Sequence, residues 1–186
     1  MKPAGSARKG KRWAREAARL LGEWYYGDPD ALYPTPGSGT RRAAEHHGDI
    51  GPAKSGLAPP WVFCVEAKHG DRGGTRWSLD DLLLGTDKAP LVRYWRQCAA
   101  AAKAARRVPL LLLKRNREAP LACLASGDIC SYQVTPLLVV KARRFDLRLV
   151  VMPLSVLLRV TKPADWVKWW CESVPVVGPG ARGENA

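Results

Sequence analysis

Apolar residues recur at steps of three and four positions near the amino end of the chain. Such a segment, wound as an α-helix, shows one apolar stripe, the pattern of a helix that packs one face on a core. The stripe consists of Trp13, Ala17, Leu20, Leu21 and Trp24. We therefore predict a first helix over residues 12–24, with Glu16 among the apolar positions. Within residues 33–40, where Gly and Pro are frequent, a loop is predicted for the carboxyl half.

The clearest strand is predicted over residues 61–68. Its first five residues are apolar at both alternating sets of positions, so both faces should be covered by other parts of the protein. A short polar strand is predicted over residues 46–50, and residues 51–60, rich in Gly, Pro and Ser, form the connecting loop. The strand of residues 61–68 is therefore expected near the centre of a sheet.

The following part of the chain combines helical and extended patterns. The Ala-rich residues 91–107 predict a second long helix, and residues 109–113 predict another buried strand. Two further strands, over residues 134–141 and 145–152, are separated by three residues and are predicted to form a hairpin.

A closing helix is predicted over residues 163–172, with Pro163 in its first turn. Trp166, Trp169 and Trp170 fall at helical steps, and we interpret them as packing or subunit-contact residues rather than base-stacking residues. The order of the elements indicates a mixed α/β core with an added carboxyl segment.

The composition indicates which kind of partner the protein binds. The chain has 186 residues, with 30 Lys and Arg against 17 Asp and Glu, a formal net charge of +13. This balance favours a polyanion, first nucleic acid and second an anionic membrane surface. No apolar run is long enough for a membrane span, and no basic helix has a clean apolar face, so we expect a soluble, cytoplasmic protein without membrane contact. The five cysteines have no C-x-x-C spacing and are expected to be reduced packing residues.

Basic residues form two blocks that contain no acid. The first block consists of Lys2, Arg8, Lys9, Lys11 and Arg12. The second consists of Lys103, Arg106, Arg107, Lys114, Arg115 and Arg117. Such runs are usually solvated faces, but two blocks on either side of an acidic site also fit a protein that holds the DNA backbone.

Three charged residues predict the chemistry. Glu66 and Lys68 are two residues apart on a strand, so their side chains share a face. If Asp49 and Glu66 are cross-strand partners, the turn of their hairpin falls between residues 57 and 58, inside the predicted loop. Such partners lie about 5 Å apart, close enough for two carboxylates to share a hard cation. The structural alternative is a surface ion pair between Glu66 and Lys68 at a strand end.

An Asp on one strand and a Glu-x-Lys on the next resembles the PD-(D/E)XK nuclease superfamily. The matching segments are Gly48-Asp49-Ile50 and Glu66-Ala67-Lys68, with Gly48 in place of the usual proline. The resemblance implies a restriction-endonuclease-like α/β fold, a mixed β-sheet core flanked by helices, with a carboxyl-terminal extension. It also implies that Asp49 and Glu66 bind Mg²⁺, for which Mn²⁺ can substitute, and that Lys68 acts on the attacking water.

Further features resemble archaeal-type Holliday junction resolvases. Glu16 matches a glutamate of the first helix that joins the metal site, and residues 36–42 match a loop with a serine and basic residues. The resemblance implies that Ser38 assists catalysis, that Gln97 lies near the metal, and that Arg41 and Arg42 bind phosphate. The alternatives are a solvated Glu16 and a turn-forming Ser38.

These observations predict a Mg²⁺-dependent endonuclease that makes paired nicks in four-way DNA junctions. The resemblance implies a homodimer, whose surface we expect at residues 134–158 or at the closing helix. The residues predicted to contact DNA are Lys9, Lys11, Arg12, Arg41, Arg42, Arg106, Arg107 and Arg115. One alternative is a phage, repair or restriction-type nuclease that acts on duplexes, flaps or single strands, and the other is a DNA-binding protein without activity.

The predicted organisation has three parts. Residues 1–11 form a basic arm, residues 12–174 form one nuclease domain, and residues 175–186 form a flexible tail. Within the domain, the resemblance covers a core that ends at residue 117, and residues 118–174 form the extension. The host is expected to be a bacterial or archaeal cell, and the gene could be carried by a phage.

Overall fold

The first helix, α1, spans Ala4–Tyr26 and buries its apolar stripe against a β-sheet. The computed structural model describes residues 4–35, 48–70, 77–80, 89–129, 138–142 and 147–173. Helix α1 begins eight residues before the predicted start at residue 12, so residues 4–11 of the predicted arm are helical. The apolar period stops at Trp13, but the preceding Ala, Lys and Arg residues are good helix formers that need no core contact.

Seven strands form one sheet in the described part of the chain, in the spatial order β1, β2, β3, β4, β5, β7, β6. Their bounds are β1 Leu32–Pro34, β2 Ile50–Pro52, β3 Phe63–His69, β4 Val108–Lys114, β5 Leu121–Ala125, β6 Leu138–Ala142 and β7 Leu147–Pro153. Strands β3 and β4 are parallel, and the other neighbouring pairs are antiparallel. The predicted mixed α/β core is therefore confirmed.

The parallel pair depends on the second long helix, α2, which spans Pro90–Ala105. Parallel neighbours need a crossover connection, and α2 lies on this connection between β3 and β4. Helix α2 packs on one face of the sheet, through Trp95 and Cys98, while α1 packs on the other face. Strand β3 is thus covered on both sides, as its apolar sequence predicts.

The carboxyl part adds three helices to the described chain: α3 Ser126–Ile129, α4 Leu154–Val160 and α5 Pro163–Ser173. Helix α5 confirms the predicted closing helix, and its Trp166 is fully buried against Phe63 of β3. The β6–β7 hairpin is also confirmed, with Ala142 paired to Leu147.

Two strands were missed by the sequence prediction. Strand β1 lies ahead of the loop predicted in the carboxyl half of residues 33–40, and it forms because pairing with β2 extends the chain despite Pro34. Strand β5 consists of Leu, Ala and Cys, which carry little strand propensity, and it forms because β4 and β7 supply hydrogen-bonding partners on both sides.

The surface proposed for a dimer is largely used inside the chain. Val150, Val151 and Met152 of β7, and Leu154 and Leu157 of α4, are buried in the chain's own core. The apolar pattern of residues 134–158 therefore has an intrachain explanation in its described portion. No helix in the described residues is both long and apolar enough to span a membrane.

The aromatic core behind β3 can be tested with Phe63→Ala. The Phe63 ring is buried, and its centroid lies 5.3 Å from that of Trp61 and 5.1 Å from that of Trp166. We expect the free energy of unfolding to fall by about 3–5 kcal/mol in urea denaturation. The control Val160→Ala removes an exposed apolar side chain and should cost less than about 0.5 kcal/mol. Equal losses would contradict the assigned role of Phe63.

Candidate active site

The register between β2 and β3 brings two acids together. Ile50 pairs with Val65 in an antiparallel ladder, and continuing this register by one residue places Asp49 opposite Glu66. The Asp49 backbone N–H donates to the Val65 carbonyl at 2.6 Å, and its Oδ2 accepts a hydrogen bond from the Ala67 N–H at 2.9 Å. The hairpin register predicted from the sequence is thus confirmed.

Glu66 lies in the middle of β3 and is buried, with 4% of its surface exposed. Strand alternation directs it to the face covered by α2, where Gln97 Nε2 donates a hydrogen bond to Glu66 Oε1 at 3.0 Å. Lys68 shares this face and makes an ion pair with the same oxygen. The structure therefore brings the predicted residues Asp49, Glu66, Lys68 and Gln97 together.

The cluster contains two neighbouring carboxyl groups, Asp49 and Glu66, beside one lysine, Lys68. Burial raises the pKa of the Glu66 carboxyl, the neighbouring Asp49 carboxylate raises it further, and Lys68 opposes both effects. For Lys68, burial alone would lower the pKa, but Glu66 and Asp49 more than compensate and the pKa is raised. The lysine consequently remains an ammonium ion at neutral pH.

Tyr94 is a neighbour of the site that the sequence analysis missed. The Lys68 Nζ lies 5.4 Å from the centroid of the Tyr94 ring, a cation–π distance. Tyr94 precedes Gln97 by three residues on α2, so both side chains lie on one helix face. This spacing was the available signal, because any residue three positions from Gln97 should also approach β3.

The donor set fits a hard divalent cation. Mg²⁺ is typically bound by one or two carboxylates, with water and substrate phosphate as its other ligands, and Asp49 and Glu66 supply two carboxylates. Burial is the main cause of the raised pKa of Glu66 and the Asp49 carboxylate adds to it, and a bound cation would oppose both effects. Across the described ranges, no group of three or more His, Cys, Asp or Glu residues could hold a metal.

Glu16 does not join this cluster. It is exposed on α1, which packs on the face of the sheet opposite to Gln97 and α2. Glu16 was predicted from a resemblance. The resemblance identified the position in the sequence, but it did not show on which side of the sheet the Glu16 side chain would lie. The predicted third acidic ligand is therefore not brought to Asp49 and Glu66.

Glu16 instead lies in a basic cleft of about 290 Å³ at the carboxyl ends of β3 and β4. We call this the basic cleft, and its lining residues are Lys9, Arg12, Trp13, Glu16, His69, Lys114, Arg115, Asn116 and Arg117. Two of the predicted DNA contacts on α1, Lys9 and Arg12, line it, whereas Lys11 is exposed on the same helix outside it. Its lining residue His69 follows Lys68 at the end of β3, where strand alternation directs the two side chains to opposite faces of the sheet.

The second basic block is divided between the two ends of β4. Arg106 and Arg107 precede β4, while Lys114 and Arg115 lie at its far end, about 20 Å away at the rise of an extended strand. The block is contiguous in sequence but not in space, because a strand separates its halves.

Arg115 also has contacts within the protein. Its guanidinium lies 4.3 Å from the Trp77 ring centroid, donates to the Trp77 carbonyl, and pairs with Glu118 at 3.6 Å. These contacts give Arg115 a structural role.

Three predicted site residues, Ser38, Arg41 and Arg42, lie outside the described residues.

The backbone conformation at position 48 explains why glycine occurs there in place of the usual proline. The φ of Gly48 is +96°, a conformation that glycine adopts readily and proline cannot. A Cβ built on Gly48 would lie 2.7 Å from the Val65 carbonyl oxygen. The bare backbone therefore lets the chain approach β3 closely, immediately before the acid that pairs with Glu66.

The comparisons with known proteins agree with this geometry. A family model described as "Phage putative PDDEXK endonuclease" matches residues 5–148, more than three quarters of the chain. The matched region contains the whole Asp49, Glu66 and Lys68 arrangement, and the sheet agrees with the predicted restriction-endonuclease-like fold. Comparisons with curated proteins and with solved structures gave no match.

The close approach at Gly48 predicts that Gly48→Ala destabilises the protein more than Gly56→Ala. Both glycines have positive φ, so each alanine incurs about 1–2 kcal/mol of backbone strain. Only at Gly48 does the new Cβ collide with β3, since no described atom lies within 4 Å of the Cβ at Gly56. In urea denaturation we expect a further loss of about 1 kcal/mol or more for Gly48→Ala. Equal losses would show that β3 moves aside freely.

Proposed function

The chain belongs to the phage PDDEXK endonuclease family, and on this basis we propose that it is a divalent-metal-dependent DNA endonuclease with its active site at Asp49, Glu66 and Lys68. The observation that carries the proposal is the cross-strand placement of Asp49 opposite Glu66, with Lys68 on the same face of β3. A structural ion pair would need only Glu66 and Lys68, and it would not explain a second carboxylate in the same space.

Asp49 and Glu66 would hold the metal ion, which we propose is Mg²⁺, replaceable by Mn²⁺. When bound, such an ion stabilises charge on the phosphate and lowers the pKa of a coordinated water. Lys68 and Gln97 both contact Glu66 Oε1, so we assign Oε2 to the metal. Gln97 acts as a positioning residue because its amide fixes the orientation of the Glu66 carboxylate.

Lys68 would orient the attacking water and contact a phosphate oxygen. A quarter of its side-chain surface is exposed, whereas only 6% of the Glu66 side chain is, so the lysine reaches the mouth of the site. Its raised pKa keeps it cationic, which suits electrostatic stabilisation of a phosphate rather than removal of a proton by the amine. Ser38 would assist from the loop that precedes Asp49.

The DNA backbone would cross the basic cleft, at the end of β3 that also carries Lys68 on its other face. Lys9 and Arg12 enter it from α1 and Lys114 from β4, giving charges on two elements at one end of the sheet. Glu16 could bind a second cation there only together with the substrate phosphate, because the described acids form no larger cluster. Lys11, Arg106 and Arg107 would add backbone contacts outside the cleft, and Arg115 would support the cleft wall. Arg41 and Arg42 are also proposed to bind phosphate.

The proposed substrate is a four-way junction, cut by a homodimer with paired nicks. The support is the ordered resemblance to Holliday junction resolvases at Glu16, residues 36–42 and Gln97. The position of Glu16 weakens this support, so a nuclease of the same fold that cuts flaps, duplexes or single strands is the second candidate.

Asp49→Asn tests the metal site with little change of shape. The amide oxygen can still accept the Ala67 N–H, but the charge that would hold Mg²⁺ is lost. We expect cleavage of DNA to fall by at least about a hundredfold, and Lys68→Met to cause a comparable loss. Gel assays with labelled DNA and Mg²⁺ measure the rates. The control Glu172→Gln neutralises an exposed acid of α5 and should leave the rate unchanged.

In the same assay, a non-enzymatic DNA-binding protein would show no cleavage by the unaltered chain. It would also show equal DNA affinity for Asp49→Asn and the unaltered chain. A nuclease should bind DNA at least as tightly after the substitution, because a repelling anion has been removed.

The substrate proposal is tested with a synthetic four-way junction and a linear duplex of the same sequence, each incubated with the protein and Mg²⁺. Symmetric paired nicks confined to the junction would support the resolvase. Cutting of both substrates at equal rates would reject it and favour the second candidate. Sedimentation of the protein with the junction would show whether two copies bind, as paired cutting requires.

A further inference from the structure

A second cavity lies at the opposite end of β3 from the basic cleft. It encloses about 640 Å³, within the range of about 300–1,000 Å³ found for small-ligand sites. We call it the aromatic cavity, and its lining residues are Tyr26, Tyr33, Pro52, Ala53, Lys54, Ser55, Gly56, Leu57, Pro60, Trp61, Ala105, Arg107 and Trp170. The proposed catalytic mechanism uses none of them.

One wall of the aromatic cavity is a set of packed rings. The Tyr26 and Trp61 rings are 6.5 Å apart between centroids and inclined by 34°. Tyr25 packs edge-on against both rings at 4.9 Å, and its hydroxyl donates to the Pro60 carbonyl at 2.6 Å. These contacts hold the rings in place, so a flat ligand would meet a preorganised surface.

Trp170 contributes another ring from α5. Its indole Nε1 donates to the Arg106 carbonyl at 2.7 Å, which fixes the ring where α2 ends. The side chain is only half-buried, unlike that of Trp166 on the same helix, which is fully buried. The interpretation of the closing tryptophans as packing residues therefore holds for Trp166, whereas Trp170 has a face available to a ligand.

The charge of the aromatic cavity matches an anion. Lys54 and Arg107 both line it, and none of the described lining residues is acidic. Arg107 is close enough to Tyr26 to oppose the rise that burial causes in the pKa of that phenol. A cation therefore lies beside the ring wall, as the recognition of a base together with its phosphate requires.

Two of the lining residues also carry buried donors. The Tyr26 hydroxyl and the Trp61 indole Nε1 have no hydrogen-bond partner within the described structure. A buried donor without a partner carries a free-energy cost. Both atoms are closed to solvent, so a ligand in the cavity could accept from them only if the wall opened.

From these observations we infer that the aromatic cavity binds an unpaired nucleotide of the DNA substrate, with its base on the rings and its phosphate at Lys54 or Arg107. Trp61 precedes Glu66 by five residues, about 16 Å along an extended chain. The rings lie on the α1 face and Glu66 on the α2 face, so a single strand that leaves the active site would reach the cavity around the β1–β2 edge of the sheet. The inference rests on the proposed nuclease function, and it favours the second candidate, a nuclease of flaps or single strands, over the fully paired four-way junction.

The test measures binding without cleavage, by fluorescence anisotropy in EDTA. The two probes are a labelled blunt duplex and the same duplex with a single-stranded oligothymidine tail. Trp170→Ala should weaken binding of the tailed duplex roughly five- to a hundredfold, the range for loss of one base–aromatic stack, and should not change binding of the blunt duplex. Trp170→Phe keeps a ring and should retain most of the affinity for the tail.

Matched variants separate stacking and charge from damage to the fold. Trp169→Ala removes the neighbouring tryptophan of α5, which does not line the aromatic cavity, and should leave the preference for the tail intact. Lys54→Ala should weaken binding of the tail and reduce the salt dependence of that binding. Lys168→Ala removes the same charge at an exposed position of α5 and should change neither property. Circular dichroism confirms that each variant is folded.

Three outcomes would overturn the inference: full tail affinity in Trp170→Ala, an equal loss for blunt and tailed duplexes, or an equal loss in Trp169→Ala. Competition by a free deoxynucleotide as effective as that by oligothymidine would also overturn it, by showing that the ligand is a soluble nucleotide. The result is independent of catalysis, since absence of Mg²⁺-dependent cleavage would reject the proposed function without altering affinities measured in EDTA.

Discussion

The burial of the Glu66 carboxylate is the constraint on which the rest of the structure depends. A charge removed from water must be compensated, and here the compensation comes from Lys68 on the same strand and Gln97 on α2. Both partners need β3 to be central and α2 to cross over it. The parallel pairing of β3 with β4 and the packing of α2 are therefore conditions for an ionised acid at this position, as well as features of the fold.

The two faces and the two ends of the sheet carry residues of different chemistry. The face under α1 is apolar and holds the rings of Phe63 and Trp166, whereas the face under α2 carries the charged cluster. Basic residues gather at the carboxyl end of β3, and aromatic residues gather near its amino end. One seven-residue strand thus connects the packing core, the proposed catalytic residues and two concave surfaces of different chemistry.

Much of this arrangement could be predicted from local sequence, and its failures have a common cause. The apolar run before Glu66 identified a central strand, and the turn-rich residues 51–60 correctly set the register with Asp49, because alternation and hairpin closure are short-range properties. Strand β5 and the half-buried Arg115 depend on partners distant in sequence. Glu16 shows the same limit, since helical periodicity identifies an amphipathic face but does not orient the helix relative to a remote acid.

The contact between Trp166 and Phe63 has a consequence for the order in which the molecule is completed. The Trp166 ring that covers the back of β3 is translated about a hundred residues after that strand and lies beyond the segment matched by the family model. A growing chain on the ribosome can pair its early strands, but it leaves this apolar surface open until α5 emerges. The packing behind Glu66 is therefore completed only once α5 has been synthesised, well after the strand that carries this acid.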